Sequence, residues 1–131
     1  MFPKRHKRAL ELARRVAFRS TYCRQRHGAV LLKGGTVRNV STNSINYCSF
    51  AGRFRPHDMC GHATQHAEVG AVLGLDRSVT EGSIVYVVRI NKSGDLLLSK
   101  PCPMCECILR HCGVKKVIYS VSDKEIGEHR I

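Results

Sequence analysis

Apolar residues recur at three- and four-residue intervals along Pro3 to Arg19, where Ala9, Leu12, Ala13 and Val16 share one face and Lys and Arg fill the others. That is the period of an amphipathic helix with its basic side free. The pattern then tightens. GAVLLKGGTVRNVST, Gly28 to Thr42, holds two β-branched, apolar runs on either side of Gly34-Gly35 and predicts a hairpin with a primed turn. Ser44 to Gln65 mixes Gly, Pro, His and polar residues without a period and reads as loop. HAEVGAVLG, His66 to Gly74, predicts a helix with Val69, Val72 and Leu73 inward and Gly74 near its end. SIVYVVRI, Ser83 to Ile90, predicts a buried strand followed by a turn at NKSGD. Pro103 to Cys112 fits a short helix closed by Gly113, and VKKVIYSV, Val114 to Val121, fits another strand. After Ser122 the pattern fades, and KEIGEHRI makes an unconvincing further strand.

Helices that alternate with strands in this way imply a sheet sandwiched between helices. A chain of 131 residues without repeats or a low-complexity linker suits one domain, residues 1–131. No apolar run approaches the ~20 residues of a membrane span, and MFPKRHKRAL lacks the apolar stretch of a signal peptide. The expectation is therefore a soluble, cytoplasmic protein with no membrane partner. Seven cysteines, an odd number, then point to metal or catalysis in a reducing compartment more than to a disulfide framework.

Charge changes the picture. Residues 1–55 carry 13 Lys or Arg against one acid, Glu11, while residues 56–131 carry nine of each, so the first part holds the whole formal charge of +12. Such a block attracts phosphate and admits nucleic acid as a partner. Any one of these side chains is better read as a solvated surface charge.

SKPCPMCEC, Ser99 to Cys107, concentrates three cysteines. Cys102 and Cys105, three apart at a helix start, lie on one face at the positive end of the helix dipole, where thiols lose protons readily. Pro101 and Pro103 stiffen the approach. Alone, Cys-x-x-Cys also suits redox sites and structural zinc knots. A third ligand is offered by HAE, His66-Ala67-Glu68: two helices on one side of a parallel sheet would bring His66 to Cys102 and Cys105. Three protein ligands leave a fourth position open for water, as in catalytic zinc sites. Glu68, two residues after the ligand, is placed to shuttle protons without coordinating.

His-x-Glu followed by Pro-Cys-x-x-Cys is the pattern of zinc nucleobase deaminases, and the chain resembles the cytidine/deoxycytidylate deaminase superfamily over about residues 20 to 121. CRQRHGAVLLKGGTVRNVSTN, Cys23 to Asn43, looks like that family's first hairpin, and CGVKKVIYS looks like its fourth strand. The resemblance implies a three-layer α/β/α cytidine-deaminase-like fold with a mixed central sheet. It also implies one catalytic Zn2+ held by His66, Cys102 and Cys105, with Glu68 as proton carrier. Water activated at the metal would replace the exocyclic amine of a base, and ammonia would leave. Asn43 and the Ala67 amide would contact substrate, and a homo-oligomer is expected.

Cys107 and Cys112 read as packing residues. Cys23, Cys48, His57, Cys60 and His62 are candidates for a second, structural zinc, because some deoxycytidylate deaminases hold one with residues from similar places. Arg24, Arg26, Arg53 and Arg55, around the hairpin and the following loop, are candidates for phosphate contact. Three substrate readings follow. The first is a cytosine-containing nucleotide or nucleoside of the deoxycytidylate or cytidine type. The second is adenosine in transfer RNA or cytosine in single strands, which the basic first part and its neighbouring Tyr22, Tyr47, Phe50 and Phe54 would suit. The third is a non-catalytic zinc module that binds nucleic acid, against which the free carboxylate of Glu68 argues.

Overall fold

A computed structural model describes residues 3–20, 25–47 and 64–131. In chain order the elements are α1 (Lys4–Ala17), β1 (Arg26–Lys33), β2 (Thr36–Thr42), β3 (Ser44–Tyr47), β4 (Thr64–Gln65), α2 (Ala67–Val72), α3 (Arg77–Thr80), β5 (Ile84–Ile90), β6 (Leu96–Leu97), α4 (Pro103–His111), β7 (Lys116–Ser120) and β8 (Ile126–Arg130). The main sheet runs β2-β1-β5-β7-β8, with β6 also on β5. Only β5 and β7 pair in parallel within it, and α4 lies in the connection between them. A parallel pair needs such a crossover.

Strand β5 shows why the sheet carries helices on both faces. Its side chains alternate: Val85 and Val87 join Ala29, Leu31 and Val117 in a core with α2 and α4, while Tyr86, Val88 and Ile90 join Val30 and Ile118 in a core with α1. A strand apolar on both sides must be covered twice. The result is the expected three-layer α/β/α arrangement around a mixed sheet.

Helix α1 seats on the sheet through small residues. It buries Ala9, Ala13 and Ala17, and a Cβ added at Gly28 of β1 would stand 2.1 Å from the Ala13 carbonyl oxygen. The helix backbone rests almost directly on the strand. Leu10, 1% exposed, is the deepest large side chain of α1, whereas the expected Leu12 sits at the margin of the core.

Three expectations are corrected. Leu73 does not face inward: α2 ends at Val72, the chain turns extended at Leu73, and that side chain is 40% exposed. The segment from Ser44 to Gln65 is not all loop, since β3 and β4 at its two ends pair antiparallel in a sheet of their own. KEIGEHRI contains a true strand, because β8 pairs antiparallel with β7 over Ile126–Arg130. The short α3 and β6 had no sequence signal.

Candidate metal centre

The helices α2 and α4 lie together on one face of the sheet and touch each other. Each begins with a residue of extended backbone at its N-cap: His66 for α2 (φ −78°, ψ 156°) and Cys102 for α4 (φ −75°, ψ 164°). Pro103 occupies the first turn of α4, where a missing N–H costs nothing. The His66 side chain makes no capping bond to its own helix; it turns toward Cys102, which is also bonded by Cys105 of α4.

His66 Nδ1 lies 3.1 Å from Cys105 Sγ and 3.7 Å from Cys102 Sγ. The three donor atoms fall within 4.8 Å of one another, the one such group of three among the described residues. Zinc bonds of about 2.0–2.3 Å in a tetrahedron require donors about 3.5–3.8 Å apart, so this imidazole–thiol–thiol set fits the ion. Electrostatics agree. A hydrogen bond from the Cys105 thiol, then His66, lowers the Cys102 pKa to about 3, while the same bond and burial push the Cys105 thiol well up. His66 is raised, first by its bond with Cys102. The arrangement thus favours the thiolate form of Cys102, the form a metal takes.

Glu68, in the first turn of α2, is 4% exposed and stands close enough to Cys105 to interact with it. Burial pushes its carboxyl pKa up, against the pull of His66. Ala67 is fully buried beside it, and its amide is one of the first-turn N–H groups without an intrahelical partner.

The chain before Cys102 is clamped. Ser99 N donates to the Ser120 carbonyl at 2.9 Å, Ser99 Oγ donates to the Val87 carbonyl at 2.9 Å, and the Ser99 and Ser120 hydroxyls meet at 2.8 Å. These buried bonds tie the approach of α4 to β5 and β7. Sequence reading missed both serines, since nothing in their spacing marks them as partners.

Asn43, at the end of β2, has its amide engaged internally. Its Oδ1 accepts from His27 N at 2.9 Å and from Ser20 Oγ at 2.5 Å, and its Nδ2 donates to the Gln25 carbonyl at 2.6 Å. It joins α1, β1 and β2 at the end of the sheet near the sulfurs. Arg26 opens β1 and is half-buried, on the strand face that Gly28 and Val30 turn toward α1. Arg24, Arg53, Arg55, Cys23, Cys48, His57, Cys60 and His62 lie outside the described residues. Cys107 and Cys112 are half-buried free thiols, and Cys112 packs against the core of α2 and α4. Neither joins the three-donor group.

Solved structures of similar fold include the dCMP deaminase of the cyanophage S-TIM5 in apo form, with 20% identity over 92% of this chain and 86% of that one and a TM-score of 0.59. Another is the cytidine deaminase of Burkholderia pseudomallei, with 19% identity over 95% and 91% of the two chains and a TM-score of 0.61. Acinetobacter baumannii RibD matches at 20% identity and a TM-score of 0.56, over 90% of this chain but 28% of its own length. No curated protein matches the chain by sequence. The family described as the cytidine and deoxycytidylate deaminase zinc-binding region matches residues 3–121, and the chain belongs to that family.

Proposed function

We propose that the protein is a zinc-dependent hydrolytic deaminase of a cytosine-containing nucleotide or nucleoside, releasing the uracil product and ammonia. The observation that carries this reading is the convergence of His66, Cys102 and Cys105 with a buried carboxyl, Glu68, that stands beside them. His66, Cys102 and Cys105 would hold one Zn2+. When bound, the ion supplies a Lewis acid that makes water a nucleophile near neutral pH.

The chain's own groups carry the rest. Glu68 would take one proton from water to the ring N3 and then move the remaining hydroxyl proton to the departing amine, and its raised pKa is the direction that suits both tasks near neutrality. The water oxygen becomes the ring carbonyl at C4, and the exocyclic nitrogen leaves as ammonia. Ala67, through its first-turn amide, would meet the base. Asn43 would act mainly by fixing the rim of the site, given its three internal bonds. The phage dCMP deaminase of similar fold has been solved in complex with dCMP and dUMP, which supports a deoxycytidylate-type substrate here.

A second reading, deamination within nucleic acid, is favoured by one observation: α1 exposes Lys4, Arg5, Lys7, Arg8, Arg14 and Arg15. The test is ammonia release by zinc-loaded protein on dCMP, deoxycytidine, a cytosine-bearing single-stranded DNA and a transfer-RNA anticodon stem. Turnover of dCMP or deoxycytidine is expected. Turnover of the polymers alone would replace the first reading by the second, and no ammonia from any of the four would overturn both. Metal analysis of the same sample counts the ions: two per chain would support a second site among Cys23, Cys48, His57, Cys60 and His62, and one per chain would remove it.

A further inference from the structure

Three buried side-chain nitrogens have no hydrogen-bond partner among the described residues: Arg26 Nε, His27 Nδ1 and Arg89 Nε. They cluster where the first residues of β1 pair with the last of β5, Arg26 opposite Ile90 and His27 opposite Arg89. Strand alternation separates them. Ile90 packs toward α1, whereas Ala29 and Val87, the next facing pair inward from His27 and Arg89, pack toward α2 and α4. Directly opposed residues share a face, so His27 and Arg89 both belong to the face that carries the metal centre. His27 is close enough to His66, Cys102 and Arg89 to feel the charge of each.

The charges around this pair are uneven. Burial, then Arg89 and His66, lower the His27 pKa to about 4 against the pull of the Gln25 carbonyl. His27 is therefore neutral in ordinary buffers. The Arg89 guanidinium is half-buried, and its Nε has no partner among the described residues. Shielding an arginine nitrogen from water without an acceptor costs stability. A cation left so beside a metal centre is provided for an anion that arrives with the substrate.

We propose that Arg89, with His27 beside it, is the contact for a substrate phosphate and the residue that sets preference for phosphorylated over unphosphorylated cytosine compounds. The proposal rests on the deaminase reading above. A guanidinium offers two parallel donors to phosphate oxygens, and neutral His27 can add a further hydrogen bond without repelling the guanidinium. The phosphate is either that of a free nucleotide or one in a polynucleotide chain. The chemistry of recognition is the same.

The test compares wild type, Arg89→Gln and Arg89→Met on dCMP, deoxycytidine and a cytosine-bearing oligodeoxynucleotide, measuring kcat/KM, calorimetric affinity and thermal melting. Methionine keeps much of the stem and removes the unpaired charge, so both variants are expected to melt no lower than wild type. Selectivity for dCMP over deoxycytidine should fall by roughly 10–100-fold, the range for losing hydrogen bonds to a charged group. A fall confined to the oligodeoxynucleotide would support the same contact and identify its phosphate as a backbone one. Turnover of both dCMP and the oligodeoxynucleotide unchanged relative to deoxycytidine, or equal loss on all substrates with lowered melting, would overturn the proposal. A wild type that deaminates none of the three but binds dCMP over deoxycytidine through Arg89 would retain the phosphate contact and remove the deaminase reading.

Discussion

At the scale of single residues, Glu68 and the sulfurs make separable contributions. On the proposed reading, Glu68→Gln replaces the proton carrier with a side chain of nearly the same shape and removes no metal donor. The variant should keep its zinc and lose roughly 10²–10⁴-fold in turnover, the usual share of positioned acid–base groups. Cys102→Ser and Cys105→Ser should lose zinc, because the thiolate that bonding among His66, Cys102 and Cys105 stabilises is gone. Zinc measured by emission spectroscopy beside ammonia release checks both, and zinc loss from Glu68→Gln would make it a ligand instead. These residues were legible because each side chain's chemistry sits in a fixed local spacing. Ser99, Ser120, His27 and Arg89 were not, since their importance follows from strand register, which brings together residues 21 and 62 positions apart.

At the scale of elements, the seat of α1 on β1 is the most exacting contact. A Cβ at Gly28 would lie 2.1 Å from the Ala13 oxygen and 2.6 Å from the Ala17 nitrogen, both backbone atoms of α1. Gly28→Ala must push the helix off the strand, and a loss of at least about 3 kcal/mol is expected, the upper end for overpacking. Gly127→Ala is the contrast. Its Cβ would meet the Tyr119 ring at 2.2 Å, a side chain that can swing, so its urea midpoint should fall less than that of Gly28→Ala. Equal losses would mean that α1 shifts freely. The long elements were readable because α1, β1 and β5 each repeat their period several times. Strand β8 hid because it is a polar edge strand: Ile126, Gly127 and His129 are only half-buried, and Gly127 leaves room for Tyr119 where a β-former would be expected.

At the scale of the whole molecule, the basic face of α1 and the candidate metal centre occupy different layers. The α1 helix covers one sheet face, and α2 and α4 cover the other. The C-terminal end of α1 meets the start of β1, where Ala17 lies against Gly28, and Ser20 just beyond it bonds Asn43. The sequence made the charge imbalance plain but could not say which layer it would cover. The Lys7 and Arg8 side chains, exposed in the first half of the helix, belong to the end farther from that contact. For a nucleotide held at Arg89 they are spectators, and exposed charges beyond about 10 Å are largely screened at 0.1 M salt. Lys7→Glu combined with Arg8→Glu should therefore leave kcat/KM for dCMP within about twofold. The same substitutions should weaken retention of single-stranded DNA and flatten its salt dependence, because each lost phosphate contact on a single strand removes about 0.7 of a unit of logarithmic slope. A large fall in dCMP turnover, with zinc content and melting preserved, would place the α1 surface in the substrate path and make the protein an enzyme of longer polyanions.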